Sequence, residues 1–334
     1  MPAGVKDVAQ RAGVSVGTVS NVLNRPDRVS AEVRDRVAQA IADLGYVRNA
    51  AARQLRAGRS TTIGLIVLDV RNPFFTDVAR GAEDEAAEHG LSVTLGNSDE
   101  NPAREAAYLD LFDEQRVHGV LISPIGDVAG RLDRLRARGI PAVLVDRAGA
   151  DGRVSSVSVD DVAGGRMAAQ HLLDTGRRRL AFVGGPPSIR QVVDRVEGAR
   201  SALGGADRLE VLPTDALTVL EGRRIGQAIA DRPPAARPDG IFAANDLIAM
   251  GLLQALAMRR DVEVPGEIAL VGFDDIDFAS AAVVPLTSVR QPSQLIGRTA
   301  MRLLLDEAAD PGLAPRQVVF QPELVVRASS APPP

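Results

Sequence analysis

At 334 residues, 45% hydrophobic and 25% charged, the chain is too long for one ordinary core and has the make-up of two or three globular units. The absence of cysteine excludes disulfides and cysteine-ligated metals, and three scattered histidines (His89, His118, His171) argue against histidine-built catalysis or metal binding. Net charge is −4, but residues 1–60 carry ten Lys/Arg against five Asp/Glu, or +5, leaving −9 for the remainder. A basic head on an acidic body fits an anion-binding module, and equally a solvated charged face.

From the start of the chain, Val5, Val8, Ala9 and Ala12 fall on one helical stripe, with Lys6, Asp7, Gln10 and Arg11 facing away. Gly13 suits the left-handed residue that ends a helix, and Ser15 the N-cap of the next. In that second helix Val19, Val22 and Leu23 face inward, while Val16, Gly17, Ser20, Asn21 and Asn24 face outward. Ser30 can cap a third helix, in which Val33, Val37, Ile41 and Leu44 keep the 3.6-residue period. None of these helices can bury a core alone, but three together can. Helix, glycine turn and second helix with a polar outer face form the pattern of a helix-turn-helix, whose second helix offers its N-terminal residues to base edges in the major groove. A generic helical pair within a bundle is the plainer alternative.

The stretch VKDVAQRAGVSVGTVSNVLN (Val5 to Asn24) closely resembles the DNA-binding head of the lac repressor (LacI/GalR) family. So does the following segment, including the pair Gly45–Tyr46 and the motif NAAARQL at 49–55. The resemblance implies that Val16, Gly17 and Asn21 read bases, and that Ser15, Thr18, Ser20 and Asn24 contact phosphates or cap the helix. It implies that Asn49 to Arg56 forms a hinge helix on operator DNA, with Arg53 at the backbone and Leu55 wedged into the minor groove. Val16 and Gly17 offer no side-chain hydrogen bond, so readout leans on Asn21, on apolar contact with a thymine methyl, and on the hinge.

From Thr61 onward, apolar strands alternate with amphipathic helices. TIGLIVLDV, LSVTLGN, GVLISP, PAVLVD, RLAFVGG, GIFAAN and IALVGFD read as strands, with DVARGAEDEAAEHG and DLIAMGLLQALAMR among the helices. Such alternation predicts parallel sheets with right-handed crossovers. The strands are too many for one compact sheet, and the pattern restarts near Asp160. The expected fold is therefore α/β: a three-helix head over 1–46, a hinge over 47–59, and two doubly wound lobes over 60–330. The lobes are expected at about 60–159 plus 291–320 and 160–290 plus 321–330.

Ligands of such sheets bind beyond the carboxyl ends of the strands. Polar residues gather there: Asn72 with Phe74 and Phe75, Asp146 with Arg147, Asn245 with Asp246, Asp274 and Gln291. Singly, each reads as well as a helix cap, and for Asp160 and Asp246 capping is the better reading. Together, carboxylates, amides, guanidinium forks and an aromatic wall suit a sugar. Thr61 to Arg327 resembles the periplasmic sugar-binding-protein fold that serves the family as its regulatory core, with the ribose-binding branch the nearest match. On that resemblance Phe74 and Phe75 sandwich the sugar ring. Asp146, Arg147, Arg195, Asn245, Asp274 and Gln291 hydrogen-bond its hydroxyls, and Asn72, at the head of the motif NPFF, aligns with the sugar ligands. Within PTDALTVLEG, where that branch carries a further aromatic, this chain has Ala216 and Leu217.

An α/β enzyme is the rival class. No G-x-x-x-x-G-K-[ST] loop and no G-x-S-x-G elbow occur, and Pro186 and Pro187 remove the amide donors a phosphate cradle in VGGPPSIR would need. The start of the chain has no apolar signal core and no stretch reaches the length of a membrane span, so a cytoplasmic location without membrane contact is expected. The end, VVRASSAPPP, has no apolar heptads that would assemble a tetramer. The sequence thus points to a homodimeric repressor, not an enzyme, with neither metal nor cofactor. It reads a pseudo-palindromic double-stranded operator and answers to a small sugar. A corepressor-gated regulator of the purine branch, answering to a nucleoside or purine, is the alternative.

Overall fold

Gly13 takes φ 63° and ψ 40°, and its amide returns to the carbonyls of Ala9 and Gln10, closing helix α1 (Val5–Ala12). The computed structural model describes residues 3–46, 60–149, 152–204, 208–259 and 262–331. Two compact units emerge, Met1–Arg59 and Ser60–Pro334. In the first, the Ser15 hydroxyl accepts the Thr18 amide at 3.0 Å and starts α2 (Val16–Asn24). A short 3₁₀ turn (Pro26–Arg28) leads to α3 (Ala31–Leu44), which Gly45 ends at φ 56°; Ser30, expected to cap it, stands at the N-cap position but makes no side-chain bond to the helix. Val8, Ala9, Ala12, Val19, Val37 and Ala40 form the buried centre, ringed by Val5, Val16, Val22, Leu23, Val33, Ile41 and Leu44. Arg11 pairs with Asp43 at 2.9 Å and ties α1 to α3. Val16, expected to face outward, is half-buried against this core, because the first turn of α2 lies over it.

The second unit holds two six-stranded sheets. The first is built from β1 (Thr62–Val67), β2 (Ser92–Asn97), β3 (Gly119–Ile122), β4 (Ala142–Val145), β5 (Ser155–Val159) and β11 (Gln317–Phe320). The second comprises β6 (Leu180–Val183), β7 (Leu209–Leu212), β8 (Gly240–Ala243), β9 (Ala269–Asp274), β10 (Thr287–Arg290) and β12 (Glu323–Val325). Their orders are β2-β1-β3-β4-β5-β11 and β7-β6-β8-β9-β10-β12, the same doubly wound arrangement twice. All pairings are parallel except β10 with β12. The chain passes from the first sheet to the second after β5, returns after β10, and crosses again between β11 and β12.

Helices α4 (Pro73–Glu88) and α12 (Ser293–Ala309) pair on the first lobe; α7 (Asp161–Asp174) pairs with α8 (Arg190–Ala202), and α9 (Val219–Ala230) with α10 (Asp246–Ala257), on the second. Each pair is locked by one glycine per helix. A Cβ on Gly81 or Gly297 would stand 2.0 or 1.9 Å from the carbonyl oxygens of Gln294 or Val78. Gly165 and Gly198 meet Arg195 and Val162 in the same way, as do Gly222 and Gly251 with Ile248 and Val219. Backbones at this separation admit no side chain, so the three crossings are fixed. Helices α5 (Pro102–Glu114) and α6 (Ala129–Ala137) cover the other face of the first sheet, and α11 (Asp277–Ala281) follows β9.

The seven strand segments picked from the sequence are β1, β2, β3, β4, β6, β8 and β9. The α/β class and the pair of doubly wound lobes agree with expectation. Strands β5, β7, β10, β11 and β12 read SSVSV, LEVL, TSVR, QVVF and ELV, each broken or opened by a polar residue, so none shows the continuous apolar run of β3, β4, β6 or β8.

Candidate functional site

The candidate DNA-reading helix of the head is α2. Asn21, Asn24, Gly17 and Ser15 are exposed, whereas Val16, Thr18 and Ser20 are half-buried. Their polar side chains bond locally: Ser15 Oγ lies 2.9 Å from Thr18 Oγ1, and Asn24 Nδ2 donates to the Ser20 backbone carbonyl at 2.9 Å and to Ser20 Oγ at 3.3 Å. Asn21 stands outward on the same helix. Asn49, Arg53 and Leu55, with the whole of the expected hinge, lie outside the described residues.

In the second unit the candidate residues converge on the facing carboxyl ends of the two sheets. Asn72, Phe74, Phe75, Asp146, Arg195, Asn245, Asp274 and Gln291 are only 2–6% exposed, and Arg147 is half-buried. Asn72, the N-cap of α4, receives the Phe74 amide on Oδ1 at 3.1 Å. Its Nδ2 donates across the lobes to Asp274 Oδ2 at 2.8 Å. Gln291 Nε2 donates to the other oxygen of Asp274 at 2.8 Å. Asn245 caps α10 by accepting the Ile248 amide at 2.9 Å.

Arg195 lies along α8 rather than at a strand end. Its Nε donates to Asp161 Oδ1 at 2.8 Å, its Nη1 to the Ala244 carbonyl at 2.7 Å, and its guanidinium sits 3.6 Å above the Phe273 ring. Asp146 and Asp274 hold positive φ, 56° and 109°, a conformation that persists only where surrounding structure enforces it.

Two expectations need correction. Phe74 and Phe75 touch each other edge to face, with centroids 5.0 Å apart and planes at 71°. No ring fits between them, so they form one apolar wall instead of a sandwich. Asp246 does not cap its helix: Asn245 does. Asp246 is fully buried and accepts Ser288 Oγ at 2.6 Å and the Ile276 amide at 2.9 Å, tying β10 to the segment that follows β9. Asp160 does cap, receiving the Ala163 amide at 2.8 Å.

Three residues of the cleft went unnoticed in the sequence. Gln191, one helical turn before Arg195, donates across the lobes to Asp146 Oδ2 at 2.9 Å. Its i, i+4 relation to Arg195 was the signal that could have found it. Asp161 anchors Arg195, and Phe273 carries it; the first follows Asp160, read as a helix cap, and the second precedes the candidate Asp274.

Burial dominates the electrostatics. It raises the carboxyls of Asp146, Asp246 and Asp274 above their ordinary range, and that of Asp161 to about 6. Arg195 lies among Asp146, Asp161 and Asp274, which together outweigh its burial and keep it charged. Arg147 is shifted down by burial and then by nearby Arg190. Asp146 Oδ1, Arg147 Nη1, Gln191 Oε1 and Gln291 Oε1 are buried without a hydrogen-bond partner in the protein. Orphaned acceptors and a donor from both lobes, beside an apolar wall, match a neutral ligand bearing several hydroxyls on a hydrophobic face. An anion would meet an excess of buried carboxylates.

Comparison with known proteins places the molecule. The sequence model described as bacterial regulatory proteins, lacI family, matches residues 4–49, and that of a periplasmic binding protein-like domain matches residues 169–330. The ribose operon repressor of Halalkalibacterium halodurans is 33% identical over 323 residues, spanning 97% of this chain and 96% of the relative. The chain belongs to the lacI family of bacterial regulators. Among solved members of the family, a transcriptional regulator from Enterococcus faecium with bound ribose aligns with a TM-score of 0.74 at 29% identity, covering 82% of this chain and all of that one. The lac repressor dimer bound to operator and the anti-inducer ONPF aligns with a TM-score of 0.83 at 25% identity, covering 99% of both chains. No helix among the described residues is long and apolar enough to cross a membrane.

Proposed function

We propose that the chain is a homodimeric transcriptional repressor that binds a pseudo-palindromic operator through its head and is gated by ribose or a closely related sugar. The observation that carries the reading is the cleft itself: orphaned polar atoms on both lobes, beside the Phe74–Phe75 wall, in a chain whose head is a helix-turn-helix. A relative named ribose operon repressor and a solved relative holding ribose support the choice of sugar.

In this reading residues 1–46 read DNA, 47–59 form the hinge and 60–330 bind effector and partner copy. Asn21 contacts a base edge, Ser15, Thr18, Ser20 and Asn24 lie along phosphates, and Asn49, Arg53 and Leu55 act in the hinge. Sugar hydroxyls donate to Asp146 and Asp274 and accept from Arg147, while Asn72, Asn245, Arg195 and Gln291 complete and orient the ring of partners. A ligand held by both lobes favours their closed arrangement, and only that difference in affinity between arrangements can shift the DNA equilibrium. Exposed Phe278 and Val283, on and just after α11, supply apolar surface for the second copy. The protein acts where the operator is, in the cytoplasm, and catalyses no reaction.

The test is a thermal-shift screen of the full chain against pentoses, hexoses and nucleosides, followed by titration of the operator complex with each binder. D-ribose is expected to raise the melting temperature, since a ligand of the native state stabilises it, and to release operator. Stabilisation by nucleosides alone, or sugar binding that leaves operator affinity unchanged, refutes the reading.

A further inference from the structure

The three connections between lobes leave from β5, β10 and β11, strands gathered toward one edge of their sheets. The opposite edges are β2 and β7, so the mouth of the cleft, farthest from the connections, is bordered by the segments that follow these two strands. Glu100 stands after β2 and Leu217 after β7. The Leu217 amide donates to Glu100 Oε1 at 3.2 Å, joining the lobes at the mouth. The Leu217 carbonyl in turn accepts Asn245 Nδ2 at 3.4 Å. Glu100 Oε2 is buried without a hydrogen-bond partner in the protein. Asp99 and Glu100 both hold φ 54°, and Arg71 and Arg104 each grip Asp99 at 2.8 Å. Two successive non-glycine residues in the left-handed region are costly and must be held there.

We propose that Glu100 is the clasp of the cleft, a positioning residue that holds the mouth closed over the effector through the Leu217 amide and steadies Asn245 through the same residue. The inference rests on the sugar-gated reading of the cleft. It names a side chain that the resemblance did not point to, at a place where Ala216 and Leu217 offer only backbone polar groups.

The clasp carries a pH dependence. Burial raises the closed-state Glu100 carboxyl from its ordinary 4.5 to about 7, against the lowering effect of the Leu217 hydrogen bond. Asp69 and Asp99 push it up further and Arg71 pulls it down. On the facing loop and helix stand Asp215 and Glu221, the latter paired with Arg224 at 2.8 Å. Opening the mouth returns Glu100 to water, so closing takes up a proton. Closure is therefore strongest below the ordinary carboxyl value and weakens as pH rises toward about 7, after which it is level.

The chain has no cysteine, so Thr94→Cys on edge strand β2 and Leu220→Cys in the first turn of α9, both exposed and on opposite lobes, allow clean spin labelling of the full-length protein. Distance distributions are recorded without sugar at pH 5.5 and 8. Wild type is expected to show a short-distance population that shrinks at pH 8. Glu100→Gln, which keeps the acceptor and loses the charge, stays closed at both, and Glu100→Ala is open at both. In D-ribose titrations Glu100→Ala weakens affinity by about tenfold, and Glu100→Gln flattens a fall in wild-type affinity of roughly ten- to a hundredfold between the two pH values. Identical distributions for wild type and Glu100→Ala overturn the clasp, even if D-ribose binds and releases operator. Distributions as expected, with no sugar binding at all, leave the clasp standing and defeat the sugar-gated reading instead.

Discussion

The head and the cleft use polar side chains in opposite ways. On α2 the candidate DNA contacts are exposed or half-buried, and they bond locally in two pairs, Ser15 with Thr18 and Asn24 with Ser20, along a single helix. In the cleft the candidate contacts are buried, come from two lobes, and leave four polar atoms without a partner in the protein. A surface meant for phosphates and base edges gives up hydrated groups at little cost, and its affinity is electrostatic and salt-sensitive. A buried site carries the desolvation of its carboxylates permanently, so a small hydroxylated ligand recovers much more by filling it. The difference teaches that the head can be changed residue by residue, while the cleft answers as a unit.

The comparison breaks most sharply if the units cannot be separated. Deleting residues 1–59 is expected to abolish operator binding in a gel shift and to leave D-ribose binding by calorimetry unchanged, because Ser60–Pro334 holds its own core. A truncated chain that still shifts operator ends the division of labour.

Within the cleft, Asp274→Asn replaces one of two acceptors by a donor facing Asn72 Nδ2 or Gln291 Nε2. Each charged hydrogen bond is worth about 1.5–3 kcal/mol, so sugar affinity should fall roughly ten- to a hundredfold while operator affinity holds. Calorimetric titration of the variant that matches wild type would move the pocket elsewhere.

Gly165→Ala sharpens the claim that the cleft answers as a unit. Its Cβ would stand 2.1 Å from the Arg195 carbonyl oxygen, so α7 and α8 must part and carry Arg195 with them. Overpacking of this kind costs about 1–3 kcal/mol. Both a lower melting temperature and weaker sugar binding are expected. A loss of stability with unchanged affinity would show that Arg195 only supports the fold.

The smallest effect belongs to the head. Ser15→Ala removes the cap that receives the Thr18 amide, at about 1 kcal/mol of head stability. Thermal unfolding of the isolated residues 1–46 would show it, with the core transition in the full chain unmoved. The exposed Gln170, paired with Asp174 at 2.8 Å, serves as the silent control when changed to Ala.

Much of the head was legible because its signals are local. Gly13 and Ser15 end one helix and start the next by their own backbone and side-chain chemistry, and the apolar stripes follow from helical periodicity. Even there the half-burial of Val16 was not legible, since it depends on how α2 lies over α1 and α3. In the core, strand and helix alternation declared the α/β class, and strand-end polar residues marked one end of each sheet. By itself, then, the sequence determined the order of elements, the parallel sheets and most of the side chains gathered around the cleft. Tertiary structure alone decided the rest. Phe74 and Phe75 form a single wall because their rings settle edge to face within one helical turn. Asp246 reaches β10 because Gly272 leaves room for its carboxylate. Gln191 and Glu100 reach Asp146 and Leu217 over 45 and 117 positions of chain, a proximity no local pattern encodes, because it exists only once two separately wound sheets face each other.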